Sequence, residues 1–305
     1  MKNDTGSQYH VPVMLNEAIE GLQIIPAGIY VDCTFGGGGH SKAILEQLNG
    51  QGRLIAFDQD ADAKSNLLTD ARVTFIPQNF RHLQRFLRLN KIDKVNGILA
   101  DLGVSSHHFD EPKRGFSTRF NAPLDMRMDQ RQEMKASFIL KNYSEEKLHK
   151  LFETYGEITN AKTLAKTIIE QRMNISIDTV NKLKNAIQHI VKGNPNKYFA
   201  QVFQALRIEV NDELGALNEL LQQLPGVLLK DGRISILTFH SVEDRMVKQF
   251  IRAGQAEDAT DDNMYGNKNE QLFELITRKP LTASREEVEQ NPRARSAKLR
   301  IAKRK

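Results

Sequence analysis

The chain has 305 residues, with 43 Lys or Arg against 38 Asp or Glu, a formal net charge of +5. At 40% hydrophobic and 27% charged residues its composition is that of an ordinary globular protein, which excludes chain-wide disorder. No apolar run approaches the ~18 residues a membrane span needs, and Met1 to His10 lacks the apolar core of a signal peptide. A lone Cys33 can form neither an internal disulfide nor a cysteine zinc site. These features predict a cytoplasmic protein of one large or two modest domains, without membrane or metal.

The first long signal is a strand, a glycine run and a helix. Residues 29–35 are β-branched and aromatic and predict a buried strand. Gly36 to Gly39 follow, then a helix over 40–48 with Ala43, Ile44 and Leu48 on one face, stopped by Asn49 and Gly50. Residues 53–58 predict a second strand ending on Asp58, which closes a βαβ unit of about 30 residues. A helical stretch, a third strand over 73–76 and a fourth over 95–101, ending on Asp101, continue the alternation. Such alternation predicts an α/β protein with a parallel doubly wound sheet.

After about Asp110 the pattern changes. Residues 111–134 are charged, contain Pro112, Gly115 and Pro123, and predict a loop. Helices are then expected over 144–155, 159–173 and 179–191, and one long helix over 198–224, closed by Pro225 and Gly226. The unbroken run of helices predicts an insertion. The expected division is 1–112 for the first part of the core, 113–205 for an all-helical insertion that recognises substrate, and 206–305 for the second part. The sheet resumes at 232–239, followed by a helix over 241–251 and last strands over 272–277 and 298–302. Residues 257–262 and the polar stretch to about 270 predict an acidic surface loop. From Arg293 to Lys305 there are seven basic residues and no acid; such a tail suits a polyanion, and a solvated terminus accounts for it equally well.

The glycine run carries the most chemistry. A strand leading through glycines into a helix N-terminus lets backbone approach a nucleotide-like ligand closely. The dinucleotide spacing G-x-G-x-x-G/A fails in both frames, at Ser41 and at Lys42. What remains is an acid, Asp58, placed 22 residues after Gly36, suited to the two hydroxyls of an unmodified ribose. A cofactor with a ribose but no phosphate, S-adenosylmethionine, fits; a dinucleotide fold or a plain tight turn stays open. Asp101 closes the next strand on the same carboxyl edge, as a cleft residue or simply a helix cap.

Eight segments in order now resemble the RsmH (MraW) family, bacterial methyltransferases of N4 of a cytidine in small-subunit ribosomal RNA. They are HVPV (10–13), YVDCTFGGGGHS (30–41), DLGVSS (101–106), RGFS (114–117), PLDMRMD (123–129), FQALRI (203–208), FHSVEDR (239–245) and NPRARS (291–296). The resemblance implies a class I, Rossmann-like S-adenosylmethionine-dependent methyltransferase core with a helical insertion, and 16S ribosomal RNA of the small subunit, in its decoding region, as partner. It places the cofactor against Gly38, Gly39 and His40, with Asp58 on the ribose, Phe80 beside the adenine and Asp101 at the cofactor–substrate junction. A further contact falls at His108, where the family pattern suggests Gln; both side chains offer a donor and an acceptor. The glycine run also departs from the family text at Gly37, usually Arg or another residue, a change expected to affect rigidity more than chemistry.

The N4 amine of cytosine is a weak nucleophile because its lone pair is shared with the ring. It needs an acceptor for an N–H and an in-line methyl group within about 3–3.5 Å. Asp101, with Ser105 or backbone acceptors of the same loop, is expected to orient it, and Phe116 or Phe120 to stack the base. Methylation at C5 would instead need a thiolate, and Cys33 lies in a buried strand where thiols are inert. Arg114, Arg119, Arg127 and Arg131 are either solvated or, given the resemblance, RNA phosphate contacts. His240 and Arg245 are expected to meet substrate, although Ser241 and Asp244 also have the spacing of a capping box. His107 and His108 have no carboxylate cluster at metal-ligand spacing. Three alternatives stay in view: a DNA amino methyltransferase, a nicotinamide-dependent oxidoreductase and a non-catalytic RNA-binding protein. The oligomeric state is not legible.

Overall fold

The computed structural model describes residues 12–105, 108–109, 111–253 and 271–305. The acidic stretch 257–270, His107 and the first residues of the HVPV segment lie outside them. The chain divides into two compact units, Met1–Gly103 with Ala216–Lys305, and Val104–Gly215.

In the first unit, the described residues form one seven-stranded sheet in the order β3-β2-β1-β4-β5-β7-β6. The strands are β1 Ile29–Asp32, β2 Arg53–Phe57, β3 Val73–Ile76, β4 Val95–Asp101, β5 Leu228–Thr238, β6 Phe273–Leu275 and β7 Lys298–Arg304. β1 to β5 are parallel; β7 runs antiparallel to both β5 and β6. The parallel strands read as near-continuous apolar runs because both faces are covered. Helices α1 (Leu15–Leu22) and α2 (Gly39–Gln47) cover one face through Ala18, Leu22, Ile44 and Leu45. Helix α3 (Leu83–Leu89), the Ala216–Val227 part of a longer helix and a helix over Ser241–Ala253 cover the other through Leu83, Leu87, Leu220, Leu224, Val247 and Phe250. The expected doubly wound α/β core is present. Helix α1 was not foreseen, and the stretch before β3 is a short 3-10 helix, Ala61–Asn66, rather than an α-helix.

The second unit is helical. α4 (Ala136–Asn142), α5 (Glu145–Thr154), α6 (Ala161–Arg172), α7 (Val180–Ile187) and α8 (Pro195–Asn211) pack around Leu140, Phe152, Leu164, Leu183 and Leu206. Pro at the first turn of α8, with the Asn194 side chain capping Lys197 N–H, sets its start. The expected edges at 112/113 and 205/206 lie elsewhere, at 103/104 and 215/216. Val104 and Phe109 already pack on the helical cluster, and α8 runs unbroken through 205. The segment 111–134 is irregular apart from a 3-10 turn at Pro112–Arg114, but it is not solvated: Phe116, Leu124 and Met126 are buried in that cluster.

The expected single helix over 198–224 is two helices, α8 and α9 (Glu213–Val227). Asp212 breaks them: its backbone is left-handed at φ 46, and its N–H closes on the carbonyls of Glu209 and Ile208. The apolar stripe continues across the break, so periodicity alone missed it. α10 is Ser241–Ala253 and α11 is Arg285–Gln290. No helix among the described residues is long and apolar enough to cross a membrane.

Candidate active site

The carboxyl ends of β1, β2 and β4 carry Asp32, Asp58 and Asp101. Open parallel sheets place their clefts along this edge, because the strand ends diverge into loops there. β1 ends in Asp32, which is fully buried. Its Oδ1 accepts the Thr34 N–H at 3.0 Å and its Oδ2 the Ser41 hydroxyl at 2.7 Å. Those bonds tie the strand end to the first turn of α2. Burial raises the Asp32 pKa, while His40, Ser41 and Thr34 pull it back. Thr34 in turn accepts the backbone N–H of Asp101 at 2.7 Å, so one hydroxyl joins the ends of β1 and β4.

The glycine run forms the turn between β1 and α2. Gly38 is the N-cap of α2 in the left-handed region, at φ 77, where a Cβ is disfavoured. Gly39 is required by close approach: a Cβ there would stand 2.2 Å from Pro12 Cγ. Gly37 has neither constraint, since a Cβ meets nothing within 4 Å. The departure from the family text at Gly37 thus sits where a side chain fits without displacement.

Asp58 holds this turn from the side. Its Oδ2 accepts Gly36 N–H at 2.7 Å and its Oδ1 accepts Asp60 N–H at 2.8 Å. Burial pushes its pKa up to about 6, against the pull of those two N–H bonds. Each carboxylate oxygen keeps a second lone pair for a further donor such as a ribose hydroxyl. Phe80 opens a 3-10 turn, Phe80–His82, just after β3 and packs on the sheet core.

Asp101 is the last residue of β4, with a quarter of its side chain exposed. Its Oδ2 lies 3.8 Å from His40 Nδ1. Its Oδ1 and His40 Nε2 are buried without a hydrogen-bond partner among the described residues. Burial pushes the Asp101 pKa up to about 6; His40 lowers it, and the charges of Asp32 and Glu243 raise it. Orphaned buried polar atoms are rare and call for a partner. Here an acceptor and a ring nitrogen lie beside a glycine turn that admits close approach. The residues therefore fit a ligand with a ribose and a polar chain.

His240 and Glu243 sit at the start of α10. Glu243 Oε2 accepts Phe239 N–H at 3.0 Å, and its Oε1 is 3.1 Å from His240 Nε2. His240 Nδ1 accepts the Glu243 N–H at 3.4 Å and caps the helix, while Glu243, not Asp244, reaches back over its start. Asp244 pairs instead with Arg300 at 2.7 Å and Lys298 at 3.2 Å on β7. Arg245 is exposed on the next position of α10. Cys33 is buried, and burial drives its thiol well above the usual range, which removes the thiolate that C5 chemistry would need.

The remaining expected residues lie in the helical unit. Ser105 N–H donates to His108 Nδ1 at 3.2 Å and the Ser105 hydroxyl stands 2.8 Å from the same nitrogen. The Ser105 backbone and hydroxyl thus both meet the His108 ring at Nδ1. The His108 ring is buried, 4.8 Å from the Phe116 ring centroid. Phe116 is buried in the core and Phe120 is exposed, so of the two stacking candidates only Phe120 presents its ring. Arg114 is buried and donates to the carbonyls of Arg127 and Met128. Arg127 makes a two-pronged pair with Asp125 at 2.7 and 2.8 Å and donates to the Gln130 and Gln132 carbonyls. Burial would raise the Asp125 pKa, but the Arg127 bonds and charge outweigh it and hold the carboxyl below the usual range. Both guanidiniums are thus committed within their own loop, unlike Arg119, which is exposed.

Sequence reading left Asp32 and Thr34 without a role. The signal was present: an acid and a hydroxyl flanking Cys33, with Ser41 in the first turn of α2.

The MraW methylase family model matches residues 7–305. The chain belongs to the MraW methylase family. A ribosomal RNA small subunit methyltransferase H from Cytophaga hutchinsonii is 52% identical over 299 residues, covering 97% of this chain and 99% of that protein. Proteins of the same description from Porphyromonas gingivalis and Christiangramia forsetii are 52% and 49% identical, each over at least 97% of this chain. Among solved structures, an rRNA methylase from Streptococcus thermophilus covers 95% of this chain at 12% identity and a TM-score of 0.40, a distant likeness. Membership of this family makes the α/β unit a class I methyltransferase core.

Proposed function

We propose that the protein methylates N4 of a cytidine in 16S ribosomal RNA of the small subunit, in the bacterial cytoplasm. The observation that carries this is Asp101: a raised, partly orphaned carboxylate at the end of β4, beside the glycine turn and Asp58. The relatives described as small-subunit RNA methyltransferases supply the substrate class. S-adenosylmethionine, when bound, supplies the electrophilic methyl group. Gly38, Gly39 and His40 would hold it at the turn, Asp58 at the ribose, Phe80 at the adenine, and Asp101 and His108 at the substrate side.

The work of the chain is orientation. The Asp101 carboxylate accepts an N–H of the cytosine amine and fixes the lone-pair direction. As the nitrogen attacks, its hydrogens acidify; the carboxylate stabilises the growing positive charge and takes one N–H proton, which then passes to solvent. Ser105 offers a second acceptor. Thr34 holds the Asp101 backbone still. The helical unit recognises RNA, with Arg119 in that unit and His240 and Arg245 in the core as contacts; Arg114 and Arg127 shape the loop from within.

The test is incubation with labelled S-adenosylmethionine and undermethylated small subunits, followed by digestion and nucleoside identification by mass. N4-methylcytidine, lost on Asp101→Ala, is the expected result. Label in another nucleoside sinks the assignment, and label only on DNA moves the protein to the DNA amino methyltransferases.

A further inference from the structure

Beyond β3, the chain builds a groove that no step above uses. It is open to solvent, measures about 490 Å³ and is lined by Arg81, His82, Gln84, Arg85, Arg88, Leu89 and Gln223. No carboxylate lines it. Between residues 81 and 94 there are five Lys or Arg and a single acid, Asp93. Arg81 is 2.8 Å from Glu219, which offsets its charge. Arg85 and Arg88 are exposed, three residues apart on one face of α3, and neither has a carboxylate partner among the described residues.

The walls are fixed before any ligand arrives. Gln223 on α9 accepts the Gln84 N–H at 2.8 Å and donates to the Arg81 carbonyl at 2.8 Å. Arg81 adds a second tie to α9 through Glu219. The Arg85 guanidinium lies 5.9 Å from the Phe86 ring centroid, at the outer reach of a cation–π contact. Leu89, 65% exposed, is the one apolar residue of the lining.

We propose that this groove is a second RNA site, which holds the phosphate backbone of the substrate away from the reacting base. The inference rests on the RNA substrate proposed above. The exposed guanidinium forks of Arg85 and Arg88, with no acid in the lining, match phosphate oxygens, which accept and never donate. A peptide partner would need an apolar pocket for an anchor, and the lining offers only Leu89 at its rim. The groove starts at Arg81 and runs along α3 beside Gln223, near the end of α9, so it follows the chain back from the carboxyl edge of the sheet and a strand held there is gripped away from the reacting base.

The experiment measures binding of a fluorescently labelled decoding-region fragment of 16S RNA across salt concentrations, for the full chain and the double variant R85Q/R88Q. Loss of two phosphate contacts lowers the slope of log K against log salt by about 1.4 for single-stranded RNA, or about 1.8 at the duplex value. The KM for small subunits rises roughly tenfold, while kcat and S-adenosylmethionine affinity by calorimetry stay unchanged. R85K/R88K, which keeps both charges, retains the slope. An unchanged slope in R85Q/R88Q overturns the proposal. So does intact RNA binding with methylation lost only on assembled subunits, which assigns the groove to an acidic ribosomal protein. If the unaltered chain binds the fragment with the full slope yet methylates nothing, the methyltransfer reading fails and the groove stands.

Discussion

Asp101→Asn separates the cost of the site from its use. The folded-state pKa of Asp101 is about 6, against 3.8 for an unperturbed carboxyl. A carboxyl whose pKa is raised on folding binds its proton more tightly in the folded state. The stability it contributes is fully present below 3.8 and is lost as pH rises through 6. The whole shift, about 2 units, corresponds to about 3 kcal/mol. Asparagine has the same shape and no proton to lose, so it escapes the penalty. Integrated over the titration, the variant gains about 1.4 kcal/mol on the native protein between pH 5 and pH 8. Asp58 shifts in the same direction but is present in both proteins and cancels. The assay is urea unfolding of both proteins at the two pH values, with the midpoint read at constant slope. Methyl transfer by the same variant falls by about 100-fold or more, because an amide cannot stabilise the charge growing on nitrogen. A stability difference that is the same at both pH values, or narrows toward pH 8, refutes the reasoning: the carboxylate would then be held ionised by a donor.

The same pKa predicts that kcat/KM of the native enzyme falls on the acid side with a midpoint near 6, checked by a pH–rate profile at saturating cofactor. Gly39→Ala forces Pro12 aside and costs about 1–3 kcal/mol with weakened cofactor binding, whereas Gly37→Ala, in open space, leaves both within about 0.5 kcal/mol; thermal melts and calorimetry distinguish them. Arg300→Met leaves the buried Asp244 without its nearest cation and destabilises the fold by about 3–5 kcal/mol, read by urea unfolding, a loss that disappears as Asp244 is protonated in acid.

Much of the core could be read from the residues because parallel strands buried on both faces have few alternatives. Strands ending on Asp58 and Asp101, with glycines between β1 and α2, mark the carboxyl edge of the sheet in the sequence itself. The limits were physical. An apolar stripe does not record a left-handed residue, so Asp212 broke a helix that periodicity had joined. The segment 111–134 reads as a loop, but its spacing does not show that Arg114 and Arg127 bond carbonyls within it while Phe116 and Met126 pack in the helical cluster. Spacing also cannot tell which acid of Glu243 and Asp244 reaches back over the helix start; a cation one strand away, Arg300, decides it.

The carboxylates around His40 have a consequence for turnover. Asp101 feels the charges of Asp32 and Glu243, and the three carboxylates have two imidazoles beside them, His40 and His240, so the acids outnumber the rings. A ligand that arrives as a cation relieves that shortage. The same ligand, once it has given up its methyl group, is neutral and relieves nothing. The field therefore holds the methyl donor more tightly than the neutral product it leaves behind.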